Sequence, residues 1–157
     1  MNKQLIVALS IILCMAVGGA SSALTNVDLL QYLPTLRQPS WQPPNWVFGP
    51  VWTLLYLLMG IALGNVINTA APTGYKKSAI LVFAVQLLLN FFWSIIFFKW
   101  QSPKWALIEI IFLLVGILWT IFKFDGISKT AAWLMVPYAA WVSFATLLTA
   151  TLFWMNR

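Results

Sequence analysis

Residues 39–60 of the chain read PSWQPPNWVFGPVWTLLYLLMG. The first fourteen of them include three tryptophans and four prolines, and a mostly apolar run follows. Tryptophan is enriched at membrane–water interfaces, and proline fixes the backbone φ angle. The pattern therefore indicates a stiff aromatic segment that leads directly into a membrane-spanning helix.

The composition of the whole chain indicates an integral membrane protein. Of its 157 residues 62% are hydrophobic and 8% are charged, and the mean hydropathy is +0.89. A soluble domain of this size needs about a quarter of its residues charged, so these apolar side chains must face lipid. The net charge of +6 does not indicate nucleic-acid binding, because the cations stand singly or in the one pair Lys76–Lys77. The chain has no histidine, and its one cysteine, Cys14, cannot form an intrachain disulfide.

Apolar segments of about 20 residues, the length of a spanning helix, recur along the chain. Short connections rich in proline and glycine separate them, which favours antiparallel neighbours. A membrane barrel would instead show alternating polarity in short segments. The sequence therefore predicts an all-α bundle of five transmembrane helices in one domain, residues 1–157, with helices at about 5–24, 46–67, 79–98, 105–122 and 131–155.

Two features of the first helix leave alternatives open. Residues 20–23, Ala-Ser-Ser-Ala, resemble a signal-peptide cleavage site, and cleavage would leave four spans. The small residues Gly18, Gly19, Ala20 and Ser22 equally suit a close-packing helix face, and we expect the helix to be retained. The positive-inside rule places the N-terminus in the cytoplasm by a margin of one cation, five against four.

The tryptophans divide by position. Trp46, Trp100, Trp105, Trp133 and Trp154 lie near segment ends, as expected for an interfacial belt. The deeper ones, which must find partners for their indole N–H groups, are Trp52, Trp93, Trp119 and Trp141.

Polar residues within the apolar segments must point into the bundle. Gln86 and Asn90 are four residues apart and share a helix face, which Trp93 and Ser94 continue. This stripe fits either interhelical hydrogen bonding or contact with a ligand. Glu109 is the acidic residue within the fourth segment. Its position fits headgroup depth, a pair with Lys104 or a neighbouring helix, or a proton-coupling site.

Aromatic pairs on three segments point to a shared pocket. Trp52 and Tyr56 are four residues apart, and so are Trp141 and Ala145, with Leu148 on the same face. Pro137 predicts a kink or a helix start just before that face. Together with the Asn90 stripe these faces describe an aromatic pocket of low charge for a flat hydrophobic molecule.

The motifs PSWQPPNWVFGPVWTLLYLLMG, LNFFWSIIFF, WALIEIIFLL and PYAAWVSFATLL resemble, in order and spacing, those of the translocator protein family, also called tryptophan-rich sensory proteins. The resemblance covers about residues 31–150. It implies a five-helix bundle, usually a homodimer, that binds porphyrins and haem-related tetrapyrroles as well as isoquinoline and benzodiazepine ligands. It also implies a pocket on the side of the first loop, residues 25–45, which acts as its lid.

Several residues gain expected roles from this resemblance. The positions that match the family's ligand pocket are Trp52, Tyr56, Asn90, Trp93, Ile110, Trp141, Ala145 and Leu148. The expected lid residues are Tyr32, Pro39, Trp41, Pro43, Pro44 and Trp46. Trp52 and Trp141 match tryptophans implicated in light-dependent breakdown of protoporphyrin IX in some bacterial relatives, so they are candidate catalytic residues for that reaction. Ala145 matches a position where a small residue affects ligand affinity.

The chain departs from the family pattern in three places. Tyr32 and Leu33 replace the frequent Trp-Tyr, and Gln38 replaces the usual lysine before PSW. Ala150 and Trp154 occupy the positions of the cholesterol-associated pattern of animal members, so that pattern is absent. A bacterial cell-membrane protein is therefore expected rather than a sterol-binding animal one.

Three functions fit these features. The first is a receptor or sensor for tetrapyrroles that contributes to their transport or disposal. The second is a light-dependent enzyme that degrades protoporphyrin IX, and the third is a proton-coupled exporter that uses Glu109. We expect no metal site and no permanent cofactor, because a chain without histidine lacks the commonest haem ligand. Porphyrin or haem would then bind reversibly.

Overall fold

A computed structural model describes residues 2–157 as a bundle of long helices. Five of them are long and apolar enough to cross a membrane, and the described residues contain no strand. The predicted all-α, five-span fold of a multi-pass integral membrane protein is thereby confirmed. The elements are α1 (Lys3–Tyr32), a single 3₁₀ turn (Leu33–Thr35), α2 (Asn45–Asn68), α3 (Thr73–Ser94) with a π-helical extension (Ile95–Lys99), α4 (Pro103–Asp125) and α5 (Lys129–Met155).

Helix α1 extends eight residues beyond its predicted end at residue 24, to Tyr32. The polar residues Thr25, Asn26 and Asp28 suggested a loop, but they do not break a helix. Thr25 is buried, and its hydroxyl donates to the carbonyl oxygen of Ser21 at 2.8 Å. Leu33, before Pro34, still has helical backbone angles (φ −57°, ψ −40°). Pro34 has no N–H to continue the α-helical pattern, so the chain passes into a 3₁₀ turn and becomes extended at Leu36.

The first loop is therefore shorter than predicted and covers only residues 33–44. Tyr32, expected in the lid, lies in the last turn of α1, and Trp46 lies in the first turn of α2. Gly49 and Pro50 lie inside α2. Pro137 also lies inside a continuous helix, because α5 begins at Lys129 rather than near the proline. Each proline removes one backbone donor, and the rest of the helix tolerates that loss.

The antiparallel order of the helices gives the bundle two distinct ends. At one end α1, α3 and α5 finish while α2 and α4 begin, and the first loop lies there; we call it the loop end. Helix α1 packs mainly on α2, α4 packs on both α3 and α5, and α2 packs on α5. The interior residues of α2, α3, α4 and α5 thus meet in one core.

Helix α1 approaches α2 closely enough for backbone contact. A Cβ atom added to Gly60 would overlap the Cα atom of Ile11, and one added to Gly64 would lie 2.7 Å from the Cα atom of Val7. Small residues spaced in this way allow close packing of helices in lipid, where hydrophobic association is absent.

On α1 itself, the packing face differs from the predicted small-residue cluster. Gly18 contacts the ring of Tyr56, whereas Gly19 faces open space. Ala20 and Ser22 are exposed as well. The buried positions of α1 instead follow helical spacing and are Ser10, Cys14, Ser21 and Thr25.

We predict that Gly60→Ala destabilises the bundle by about 1 to 3 kcal/mol, the usual effect of overpacking a close contact. Unfolding of the purified protein in detergent, followed by tryptophan fluorescence, measures the change. Gly19→Ala is the matched control, since a methyl group there meets nothing within 4 Å and alanine favours helix. Equal stability of the two variants would contradict the close contact.

Candidate ligand-binding site

A chain of hydrogen bonds joins three helices in the middle of the core. The hydroxyl of Tyr56 on α2 donates to Oδ1 of Asn90 on α3. The amide Nδ2 of Asn90 donates to the hydroxyl of Tyr138 on α5 at 2.8 Å, and that hydroxyl donates to Oε1 of Gln86 at 3.0 Å. All four side chains are buried, so the chain satisfies polar groups that lipid cannot solvate. We call these four residues the polar network.

The polar network confirms the inward direction of the Gln86–Asn90 stripe and adds a residue that sequence reasoning missed. Tyr138 has no exposed surface, and it connects Asn90 with Gln86. Its signal in the sequence was a tyrosine three residues before Trp141, on the same helix face. The sequence interpretation of this stretch considered Pro137 and Trp141 but not Tyr138.

The structure brings the predicted ligand positions to the loop-end half of the core. The ring centroid of Trp52 lies 5.7 Å from that of Tyr56 and 6.2 Å from that of Tyr138. The fully or nearly buried positions are Tyr56, Asn90, Ile110 and Leu148, and the half-buried ones are Trp52, Trp93, Trp141 and Ala145.

Aromatic side chains fill the space between the polar network and the loop end. Trp93 stacks on Phe97 with centroids 5.2 Å apart. The ring centroid of Trp141 lies 5.8 Å from that of Phe48 and 5.4 Å from that of Phe144. Trp93 and Trp141 therefore pack against neighbouring rings, which close the site in this structure. We call Phe48, Trp93, Phe97, Trp141 and Phe144 the ring cluster.

The first loop is fastened to the helices at the loop end. The side chain of Asn156, after α5, accepts from the backbone N–H of Arg37 at 2.7 Å and donates to its carbonyl oxygen at 3.0 Å. Gln38, which replaces the family's lysine, donates to the carbonyl oxygen of Leu33 at 2.8 Å. Trp41 meets Phe144 edge-on at 5.9 Å. The loop thus lies against α5 beside the ring cluster.

Two of the remaining lid candidates do not cover the site. The hydroxyl of Tyr32 donates to the carbonyl oxygen of Gln101 at 3.3 Å and so joins α1 to the α3–α4 connection. Trp46 is 74% exposed, as expected for an interfacial anchor. Pro39 is buried, whereas Pro43 and Pro44 lie at the start of α2, where Pro44 precedes the first helical residue.

Trp119 was expected deep in the bundle, but its side chain is 56% exposed and faces outward from α4. It lies one turn before Lys123, near the end of the helix, so the interfacial explanation covers it as well. The core positions of α4 follow a different stripe that includes Ile110, Leu113 and Ile117.

Several buried polar atoms of the core and the first loop have no hydrogen-bond partner among the described residues. They are the indole Nε1 atoms of Trp93 and Trp141, both carboxyl oxygens of Glu109, Nε2 of Gln86 and Oε1 of Gln42 in the loop. Each such atom in an apolar interior costs free energy, so a concentration of them calls for an explanation. The atoms of Trp93, Trp141, Glu109 and Gln42 provide both hydrogen-bond donors and acceptors on the loop-end side of the core, whereas Gln86 Nε2 lies in the middle of α3.

A groove of about 430 Å³ runs along the outside of this region between α2 and α5. Its walls are Val51, Leu54, Leu55, Pro137, Ala140, Trp141 and Phe144. The volume lies within the range of about 300 to 1,000 Å³ that small-molecule sites occupy. Because Trp141 and Phe144 belong both to the groove and to the ring cluster, movement of these rings would connect the two.

We predict that Tyr138→Phe lowers the free energy of unfolding by about 1 to 2 kcal/mol, because it leaves Asn90 Nδ2 and Gln86 Oε1 without partners. Unfolding in detergent measures the loss. Tyr75→Phe, at the other end of the bundle, is the control, since the ring of Tyr75 contacts Lys123 through its face. Unchanged stability of Tyr138→Phe would show that the polar network does not hold the helices together.

Comparisons with known proteins identify the family of the chain. The model of the TspO/MBR family matches residues 10–155. The tryptophan-rich protein TspO of the bacterium Chlorobaculum tepidum is 45% identical over 99% of both chains, and that of Archaeoglobus fulgidus is 38% identical over 99% of both. The human translocator protein is 35% identical over 76% of this chain and 71% of its own length. The expected family is confirmed: the chain belongs to the TspO/MBR family of integral membrane proteins.

Proposed function

We propose that the chain is a membrane receptor that binds porphyrins and related tetrapyrroles reversibly at the loop end of the bundle. Membership of the TspO/MBR family supports a membrane receptor or sensor. The observation that carries the ligand class is the concentration of unpartnered polar atoms within an aromatic cluster. A flat, largely apolar molecule with polar groups at its edge complements both features.

The unpartnered donors give the proposed site its orientation. The indole N–H groups of Trp93 and Trp141 and the amide of Gln86 lack acceptors, and they belong to α3 and α5. Hydrogen bonds to acceptor atoms of a ligand would satisfy these donors where water does not reach. The rings of Trp52 and Trp141 provide faces for stacking.

Binding requires the ring cluster to open. Trp141 contacts both Phe48 and Phe144, and Trp41 from the loop contacts Phe144 edge-on. A ligand therefore exchanges ring–ring contacts for ring–ligand contacts, which have similar geometry and strength. The prolines of the loop limit its freedom when it is displaced, so less entropy is lost when it closes again.

We expect Trp93→Phe and Trp141→Phe each to weaken binding of protoporphyrin IX about tenfold, since each removes a donor worth about 1 to 1.5 kcal/mol and keeps an aromatic ring. Titration in the dark, followed by quenching of the remaining tryptophan fluorescence, gives the affinities. Trp119→Phe is the matched control, because Trp119 faces outward.

Two outcomes of this titration would count against the proposal. Absence of saturable quenching in the unaltered protein would reject tetrapyrrole binding. Equal affinities in all three variants would show that the indole N–H groups do not contact the ligand.

The arrangement of Trp52 favours the light-dependent breakdown of protoporphyrin IX as a second candidate. Its ring contacts those of Tyr56 and Tyr138, so three oxidisable side chains adjoin one another. An excited porphyrin bound there would have electron donors within contact distance. Trp141 contacts only phenylalanines among these ring pairs, namely Phe48 and Phe144.

We expect Trp52→Phe to slow the light-driven loss of the porphyrin absorption band more than Trp141→Phe does, if this chemistry occurs. The measurement compares decay rates at saturating protein, so that differences in affinity drop out. Decay no faster than in a lipid micelle without protein would reject the enzymatic candidate and leave the receptor. The homodimer and the isoquinoline and benzodiazepine ligands that the resemblance implies remain predictions.

A further inference from the structure

Glu109 is an acidic residue inside a helix that crosses the membrane, and its carboxyl group has no partner. Both carboxyl oxygens are buried. Among the residues 2–157 the structure shows no hydrogen bond to them. Lys104, the expected partner, directs its ammonium group over the ring of Trp105 at 5.9 Å instead. Neither pairing nor escape of the side chain to the headgroup region accounts for this carboxyl group.

The register of the antiparallel helices α3 and α4 places Glu109 at the same level as Trp93. Gly116 of α4 contacts Gln86 of α3, since a Cβ atom at Gly116 would lie 3.1 Å from the Cβ atom of Gln86. The two helices are antiparallel, so two turns from this contact toward the loop end lead to Glu109 on α4 and Trp93 on α3. Glu109 lies seven residues before Gly116, and Trp93 lies seven residues after Gln86. Residues seven apart lie on nearly the same helix face.

The two groups are complementary yet unbonded. Trp93 offers an N–H donor and Glu109 offers two acceptor oxygens, but neither has a partner in the closed site. A residue retained only for helix packing would be expected to satisfy these groups, because hydrogen bonds between helices are available throughout this core. The arrangement instead leaves a donor and an acceptor free in one interface, next to the ring cluster.

We infer that Glu109 is a specificity-determining residue of the proposed site, whose carboxyl group accepts a hydrogen bond from an N–H group of the ligand. This inference rests on the proposed function, since it concerns the same site. It names the ligand class more narrowly: aromatic molecules that carry an amine or amide nitrogen are favoured over those that bring a carboxylate to this position. A ligand carboxylate placed there would be a buried charge that faces another carboxyl group instead of a cation.

The charges of the bundle agree with that orientation. At the loop end Arg37, Lys99, Lys104 and Arg157 lie outside the ring cluster and offer cations to an anionic ligand edge. Glu109 lies deeper in the bundle than these cations, six residues after the first residue of α4. A porphyrin that carries carboxylates is then expected to direct them outward to these cations and to present its apolar edge toward Glu109, because its nitrogen atoms lie at the centre of the macrocycle.

The test uses three probes that share one macrocycle: protoporphyrin IX, its neutral dimethyl ester and a bis-amide of it that carries two amino groups. Their dark affinities are measured for the unaltered protein and for Glu109→Gln. We expect the amino derivative to lose at least about tenfold in affinity, as for a hydrogen bond to a charged group, while the ester changes by less than twofold. Asp125→Asn, the same change at the far end of α4, is the control and is expected to alter none of the affinities.

Glu109→Leu separates specificity from a structural role. Replacing an unpartnered buried carboxyl group by an apolar side chain is expected to leave stability unchanged or raised, with the same loss for the amino derivative. Loss of stability together with equal losses for all three probes would overturn the inference and make Glu109 structural. Equal affinities in all variants would overturn it too, while binding of the ester would leave the proposed function standing. No saturable binding of any probe to the unaltered protein would reject both.

Discussion

The hydrogen bonds from Tyr56 through Asn90 and Tyr138 to Gln86 fix the interior of this bundle, because lipid offers polar groups no alternative partner. Packing alone lets apolar helices slide and rotate against one another with little penalty in lipid. A chain of hydrogen bonds that joins α2, α3 and α5 prevents such movement, because each hydroxyl and amide must lie within hydrogen-bond distance of its neighbour. The site lies on the loop-end side of this chain, so its geometry depends on it.

The close contact of α1 with α2 has a separate consequence for the loop end. Gly60 and Gly64 hold α1 against the bundle, and its long helix carries Tyr32 to the carbonyl oxygen of Gln101. The first loop then starts from a fixed point and is fastened again at Asn156 beyond α5. The first half of the short loop is therefore anchored twice, at Tyr32 and at Arg37, and Trp41 after these anchors rests on Phe144.

Sequence reasoning succeeded where periodicity and the properties of lipid act directly. The five spans and the inward stripe of Gln86 and Asn90 follow from hydrophobic length and helical spacing. It failed where the outcome depends on tertiary contacts. The end of α1 depends on whether polar residues such as Thr25 find partners within the helix, and Tyr138 becomes significant only when α3 lies beside α5. The tight packing of Trp141 against Phe48 joins residues far apart in the chain, which no local pattern contains.

The contrast between the two halves of this core argues for a ligand site at the loop end. Around Asn90 the polar side chains find one another, so the fold is able to satisfy buried polar groups. One helical turn nearer the loop, Trp93 does not, and neither does Glu109 across the same interface. The last residue of the polar network is also only partly satisfied. Gln86 accepts a hydrogen bond at Oε1, but its Nε2 has no partner. Unsatisfied groups spread evenly through the bundle would suggest imperfect packing. Apart from Gln86 Nε2 in the middle of α3, the buried polar atoms without a partner belong to Trp93, Trp141, Glu109 and Gln42 on the loop-end side, which argues for an external partner there.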